Sequence, residues 1–377
     1  MKYCNICLQP TTRPNSFFTE EGICQACNYY FNVSLNANWE ERYEELEEVL
    51  SKFKRKSESH FDCIIGVSGG KDSTRQALWA RDKLGLKPLL VCLSYPPQQV
   101  TKRGTDNISN LINLGFDVLF WTLKPETWRK LIREGFLKYT NWAKPSEQAI
   151  ISSVPQIALK YGIKLILWGE NPGLQLGDMK TVGKNGYDGN NLRYMNTVAG
   201  GGLDWMLNSG FERKELIPYL YPNPEEFEDA GLQIVYLGWF WQDWSLINNG
   251  TFSCSYGLEV REDVVKNTGD LWGVSSLDED WVTLNQMIKY YKFGFGRVSD
   301  YCNEEIRLGR MSKADGITLV EQFDDSCSAE YIKSFCEFID IPVSLFWEKV
   351  HGAVNKDLFS IDENGVITRK FKVGVGL

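Results

Sequence analysis

Histidine is scarce: His60 and His351 are the two in 377 residues, and neither adjoins a nucleophile-elbow pattern. A Cys–His glutaminase triad needs an activated cysteine paired with histidine, so that chemistry is not expected. Basic charge is not in excess either. The 41 Lys and Arg stand against 49 Asp and Glu, for a formal charge of −8. A broad nucleic-acid face needs the opposite balance, so no nucleic-acid partner is expected. No stretch approaches ~18 uncharged apolar residues, and no basic start leads into an apolar run, so neither membrane insertion nor a leader is expected and a cytoplasmic location follows. Internal repeats and low-complexity tracts are also missing.

What is present is ordinary globular material, 43% hydrophobic and 24% charged, long enough for two or three domains. Residues 1–35 form a short unit bounded by cysteines. Residues 36–58 connect it to the rest through an amphipathic helix over 39–58, with Trp39, Tyr43, Leu46 and Leu50 at helical spacing. Residues 59–250 read as an α/β domain. Apolar strands at Phe61–Val67, Leu89–Leu93, Asp117–Leu123 and Ile163–Trp168 alternate with helices at Asp72–Lys83, Asp106–Leu114 and Gln148–Tyr161. That alternation predicts a parallel sheet with helices on both faces, and ligands beyond the carboxyl ends of its strands. Residues 171–215 are polar, glycine-rich loops, and Ile234–Trp241 is one more apolar run. Residues 251–377 are mainly helical, with segments at Trp281–Tyr291, Asn303–Leu308, Lys313–Gln322, Ala329–Ile339 and Val343–His351.

The sharpest signal is Ser68-Gly69-Gly70-Lys71-Asp72-Ser73, set between the first strand and its helix. Paired glycines let the backbone approach an anion, and the helix N-terminus offers free N–H groups and a positive dipole end. Ser68 and Ser73 add hydroxyls, Lys71 a charge, and Asp72 a carboxylate able to hold magnesium or cap the helix. A Walker A loop spaces its glycines differently. Gly169-Glu170-Asn171 follows another strand, where Glu170 is placed to hold magnesium at the same sheet edge.

Cys4-x-x-Cys7 and Cys24-x-x-Cys27 have the spacing of a closed, structural Zn–S₄ site, with iron–sulfur ligation as the competitor. The six scattered cysteines (Cys63, Cys92, Cys254, Cys302, Cys327 and Cys336) are expected as buried thiols.

The run Ser68–Ser73 matches the PP-loop of the ATP pyrophosphatase superfamily, and the Gly-Glu-Asn element resembles that superfamily's second motif. The resemblance implies an adenine nucleotide alpha hydrolase-like fold. It implies that Ser68–Ser73 bind the pyrophosphate end of ATP, that Cys92–Ser94 lie near the adenine, and that AMP is transferred to a carbonyl or amide oxygen. Lys71, Asp72 and Glu170 would be catalytic; Gly169, Asn171 and Ser94 would join the loop in binding nucleotide.

Over nearly the whole chain the sequence further resembles the N-acetyl sugar amidotransferases of O-antigen and related surface-glycan biosynthesis. That likeness rests on the cysteine pairs, both loops, Tyr236–Phe240, Lys292-Phe293-Gly294-Phe295-Gly296-Arg297, Asp300 and Ile306–Arg310. It implies an ATP-, magnesium- and zinc-dependent ligase converting the acetamido group of a UDP-linked sugar to an acetamidino group. The ammonia would come from separate glutaminase and channel subunits similar to those of imidazole glycerol phosphate synthase, in keeping with the scarcity of histidine.

Lys292, Arg297, Arg307 and Arg310 are candidate partners for substrate phosphates, against plain surface charge. Trp239 and Trp241 are candidates to stack a uracil or face a sugar, against plain core. Two other readings stand beside this one. A PP-loop tRNA sulfurtransferase needs a basic face and exposed catalytic cysteines. A non-catalytic nucleotide-binding subunit has no need of Lys71, Asp72 and Glu170 together.

Overall fold

A computed structural model describes residues 1–54, 60–175, 186–195 and 199–377. Five strands form the sheet: β1 (Cys63–Gly66), β2 (Pro88–Ser94), β3 (Asp117–Thr122), β4 (Leu165–Trp168) and β5 (Gln233–Tyr236). All pairs are parallel, in the order β3-β2-β1-β4-β5. The inner strands are apolar throughout, save Ser94 at the end of β2, because both faces are covered. Ile65, Leu90, Leu167 and Val235 enter one core; Ile64, Val91, Ile166 and Ile234 enter the other. The chain runs outward from β1 to β2 and β3, then returns to place β4 on the other side of β1. That reversal opens a crevice at the carboxyl ends of β1 and β4, the strands that lead into Ser68–Ser73 and Gly169–Asn171.

The helices are α1 (Trp39–Ser51), α2 (Lys71–Asp82), α3 (Lys102–Asn113), α4 (Pro125–Tyr139), α5 (Ala143–Tyr161), α6 (Leu246–Cys254), α7 (Val282–Phe293), α8 (Arg297–Arg307), α9 (Lys313–Phe323), α10 (Ala329–Ile339) and α11 (Val343–Ala353), besides shorter turns. Four differ from the sequence expectation by four residues or more; α5 begins at Ala143, five residues before the expected Gln148. α1 ends at Ser51 instead of residue 58, and 55–59 lie outside the described residues. α3 begins four residues earlier because the Thr101 side chain caps it, accepting from Gly104 N–H at 3.1 Å. α8 begins at Arg297, before the Asn303 start that was expected.

α4, α6 and a C-terminal hairpin of β6 (Phe359–Ile361) and β7 (Ile367–Arg369) were not expected. In 171–215 the described residues form short helical turns such as Asn190–Tyr194 and Asp204–Leu207, while 176–185 and 196–198 lie outside the description.

α4, α5, α7, α10 and α11 share a core around Trp128, Phe136, Trp281, Phe335 and Phe346. The cysteine unit is docked on the C-terminal helices. Leu8 N–H donates to Asn303 Oδ1 at 2.7 Å, Lys313 Nζ to the Cys4 carbonyl at 2.8 Å, and Leu8 packs with Tyr290 and Val298. Of the six scattered cysteines, Cys254 is exposed and Cys327 half-buried, a correction to the expectation that all are buried. Cys254 ends the short helix α6 with its side chain outside the core. No helix among the described residues is long and apolar enough to cross a membrane.

Candidate active site at the phosphate loop

β1 delivers the chain into the loop, where Gly69 takes φ +73° and a Cβ would stand 2.9 Å from Asn107 Cβ. Only glycine fits that turn. Gly70 is extended and caps α2 without a side chain, so the first free N–H groups of the helix face open space. That space is a cavity of about 330 Å³ lined by Ser68, Gly70, Lys71, Asp72, Ser73 and Glu170. Gly69 shapes the loop from behind the wall. Ser94 lines a smaller cavity of about 120 Å³, which shares Ser68, Leu93 and Tyr95 with the first.

A hydrogen-bond chain fixes the charged pair. Lys71 Nζ donates to Asp72 Oδ2 at 2.7 Å, and Asn249 Nδ2 to Asp72 Oδ1 at 2.7 Å. Asn249 Oδ1 accepts from Arg75 Nη1 at 2.7 Å, whose Nη2 reaches Asp243 at 2.6 Å. Asn249 is wholly buried and comes from α6, which also donates Ser253 Oγ to the Lys71 carbonyl at 2.6 Å.

The second loop is held as tightly. Trp244 Nε1 donates to the Gly169 carbonyl at 2.8 Å, and Asn171 Nδ2 to the Gly238 carbonyl at 3.1 Å. A Cβ on Gly238 would lie 2.6 Å from the Glu170 carbonyl oxygen. Asn171 is buried and positions the turn, while Glu170 projects to the cavity.

Burial, then the Asp72 charge, pushes the Glu170 carboxyl up to about 7. Burial likewise raises Asp278 to about 6 and Glu279 to about 8, and both share the cavity. Among the described lining residues Lys71 is the one cation. Among these hard oxygen donors, Asp72 and Glu170 are the carboxylates that could hold a magnesium ion carrying phosphate.

Across Trp168 and Glu170 lies a larger cavity of about 520 Å³, lined by Arg13, Tyr236, Lys289, Phe293 and Phe295. Glu147, Ile150, Trp168 and Glu170 line both it and the phosphate-loop cavity, so the two meet at Glu170. A third cavity of about 350 Å³ reaches Lys71 and Asp72 from the side of Arg297, Asp300 and Glu304.

The other candidates from the sequence are dispersed. Arg297 lines the third cavity, 4.0 Å from buried Asp270. Lys292 Nζ donates to the Tyr139 and Thr140 carbonyls at 2.7 and 2.9 Å, and burial lowers its ammonium to about 8. Arg310 pairs with Glu305 at 2.9 Å. Trp239 stacks on the Arg42 guanidinium at 3.8 Å; Trp241 is buried edge-on to Trp79 at 5.4 Å. None of these last four residues lines either main cavity.

Asn249, Glu147, Asp278, Glu279, Arg13 and Lys289 line or brace the site without having been singled out. The acidic run Asp278–Asp280 is the one sequence signal that could have found any of them.

The four ligand sulfurs of Cys4, Cys7, Cys24 and Cys27 lie within 4.8 Å of one another, all buried. Cys7 and Cys24 Sγ are 3.7 Å apart, close to the edge of a tetrahedron built on ~2.3 Å Zn–S bonds. Backbone N–H groups of Ile6 and Cys24 donate to Cys4 Sγ at 3.4 and 3.2 Å, and Gln9 N–H to Cys7 Sγ at 3.4 Å. Arg307 completes this centre. It is buried and donates to the Leu174 carbonyl at 2.7 Å. Burial disfavours its charge, but the attraction of Cys7, Cys27 and Cys24 outweighs that and raises it. Zinc fits the donor set, and four thiolates leave no open position.

Residues 268–372 match the family described as LPS biosynthesis protein WbpG-like, C-terminal domain. An uncharacterized protein of Methanocaldococcus jannaschii is 24% identical over 168 residues, 44% of this chain and 58% of that protein's own length. The chain is structurally similar to NMN synthetase from Francisella tularensis, with 18% identity over 36% of this chain and 56% of that one, at a TM-score of 0.27. The NH3-dependent NAD synthetase of Campylobacter jejuni gives 12% identity, 60% and 99% coverage and a TM-score of 0.29. The U34-tRNA thiolase NcsA of Methanococcus maripaludis gives 11%, 90% and 95%, and 0.28. Beside the phosphate loop at the end of β1, the chain thus carries at 268–372 a segment that matches the C-terminal domain of WbpG-like lipopolysaccharide-biosynthesis proteins.

Proposed function

We propose that the chain is an ATP-dependent, AMP-forming carbon–nitrogen ligase that turns an acetamido group of a UDP-linked sugar into an acetamidino group, in the cytoplasmic stage of O-antigen or related glycan synthesis. ATP lies in the 330 Å³ cavity with its phosphates at Ser68–Ser73. The acetamide oxygen attacks the α-phosphorus and pyrophosphate leaves. Ammonia then adds to the imidate carbon, AMP departs with that oxygen, and the surplus proton passes to a nearby carboxylate. Lys71 offsets charge developing on the phosphates. Asp72 and Glu170 would hold magnesium, which supplies Lewis-acid stabilisation of that same charge. Ammonia comes from a separate glutaminase and channel pair.

The observation that supports this reading is the meeting of a phosphate-loop cavity and a second, larger cavity along Glu147, Ile150, Trp168 and the half-buried carboxylate Glu170. Such an arrangement can bring a nucleotide phosphate and an acceptor together away from water. The test incubates the protein with ATP, magnesium, ammonium and a panel of UDP-acetamido sugars. AMP and an acetamidino product are expected together. AMP formed only with tRNA and a sulfur donor overturns the reading.

A further inference from the structure

The larger cavity is electrically lopsided. At its outer end Arg13 and Lys289 converge on a single carboxylate, Asp300; Lys289 Nζ reaches it at 2.7 Å, and Arg13 Nη2 contacts its other oxygen. Burial opposes ionisation of Asp300, yet Arg13 and Lys289 hold it below the ordinary carboxylate range. Both cations also lie over the Phe295 ring, Arg13 Cζ at 4.2 Å and Lys289 Nζ at 5.0 Å from its centre. Their side chains are only 12% and 22% exposed. The carboxylates near these two poorly hydrated cations, Asp300 and the more distant Asp324, do not line the cavity, so the wall it meets there is positive. At the inner end stand Glu147 and Glu170, which repel an anion and face the phosphate loop.

We propose that the acceptor lies in this cavity in one orientation, its negatively charged part against Arg13 and Lys289 and its acetamido group beside Glu170, so that the cysteine-bearing N-terminal unit supplies part of the acceptor site. This rests on the sugar-ligase reading above. Arg13 belongs to that unit, where Ser16 N–H and Oγ donate to its carbonyl at 3.2 and 2.8 Å; Lys289 belongs to α7. Docking the unit on the C-terminal helices is therefore what assembles the positive wall. The recognised anion is either the diphosphate or a carboxylate on the sugar.

The test is calorimetric titration of wild type, Arg13→Gln and Lys289→Gln with a UDP-N-acetyl sugar whose sugar carries no carboxylate and with its uronic acid. Each variant is expected to bind at least one ligand about tenfold or more weakly, with ATP affinity unchanged. Loss for both ligands assigns the diphosphate; loss for the uronic acid alone assigns the carboxylate. Wild-type affinity in Lys289→Gln, or no binding by wild type, overturns the proposal. Lys289→Gln leaves the cysteine unit's own residues intact, so the result stands if Arg13→Gln loosens that unit. Binding is read without turnover, so sugar bound through these residues with no AMP formed counts against the reaction alone.

Discussion

Replacing Glu170 by glutamine removes a carboxylate that the fold holds at a cost. Its pKa rises from 4.5 to about 7, through burial first and the Asp72 charge second. For an acid with a raised folded-state pKa, the associated stability is complete below the unfolded value of 4.5 and is lost as pH climbs through 7. The full shift corresponds to about 3 kcal/mol. The side chain is only partly shielded in the open cavity, so about 2 kcal/mol is the better figure. At about 2.1 cal/mol/K per residue, a chain of 377 residues gains about 1 °C per 0.8 kcal/mol. Glu170→Gln should therefore melt about 2–3 °C above wild type at pH 8.5 and level with it at pH 4.5, measured by calorimetry without nucleotide. AMP formation should fall at both pH values, because glutamine cannot hold magnesium as a carboxylate does. An equal stability difference at the two pH values, or a less stable variant at pH 8.5, refutes the assignment of Glu170 as a half-buried acid with a raised pKa.

Gly238→Ala should displace the Glu170 backbone, since its Cβ would meet the Glu170 carbonyl oxygen at 2.6 Å. The expected cost is about 1–3 kcal/mol in melting, with a larger fall in kcat than in ATP affinity. Asn249→Ala removes two hydrogen bonds to charged groups, to Asp72 and from Arg75, and should destabilise by about 2–4 kcal/mol while raising the KM for ATP. Arg307→Met should release zinc to a chelator far more readily than wild type and cost about 3–5 kcal/mol, since it leaves the thiolates without their buried counter-charge. Metal analysis and melting check this, and unchanged zinc retention contradicts it.

Much of the scaffold was legible in the sequence because it is encoded locally. Two adjacent glycines after an apolar run announce a strand, a tight turn and an anion-binding helix start, and Gly69 at φ +73° shows why no other residue serves. Paired cysteines announce their own ligand set. The cations were harder. Lys292 shares α7 with Lys289 and Arg307 shares α8 with Asp300, yet helix phase decides which of them reaches a cavity, and phase depends on packing partners elsewhere. Arg13 meets Asp300 across 287 positions and Asn249 meets Asp72 across 177, separations at which local pattern carries no information. Trp241 and Trp244 became core because α2 and the Gly169–Asn171 turn pack on them. α4 was missed because Lys124 offers no side-chain cap and its apolar face is completed only by α10 and α11.

The central claim is that AMP is transferred to the acetamide oxygen of a sugar. The direct measurement follows that oxygen, using a UDP-acetamido sugar labelled with oxygen-18 in its acetyl carbonyl, together with ATP, magnesium and ammonium. The account predicts that the released AMP carries the label in its phosphate, and that Lys71→Ala releases none. Unlabelled AMP, or label found in inorganic phosphate beside ADP, contradicts it.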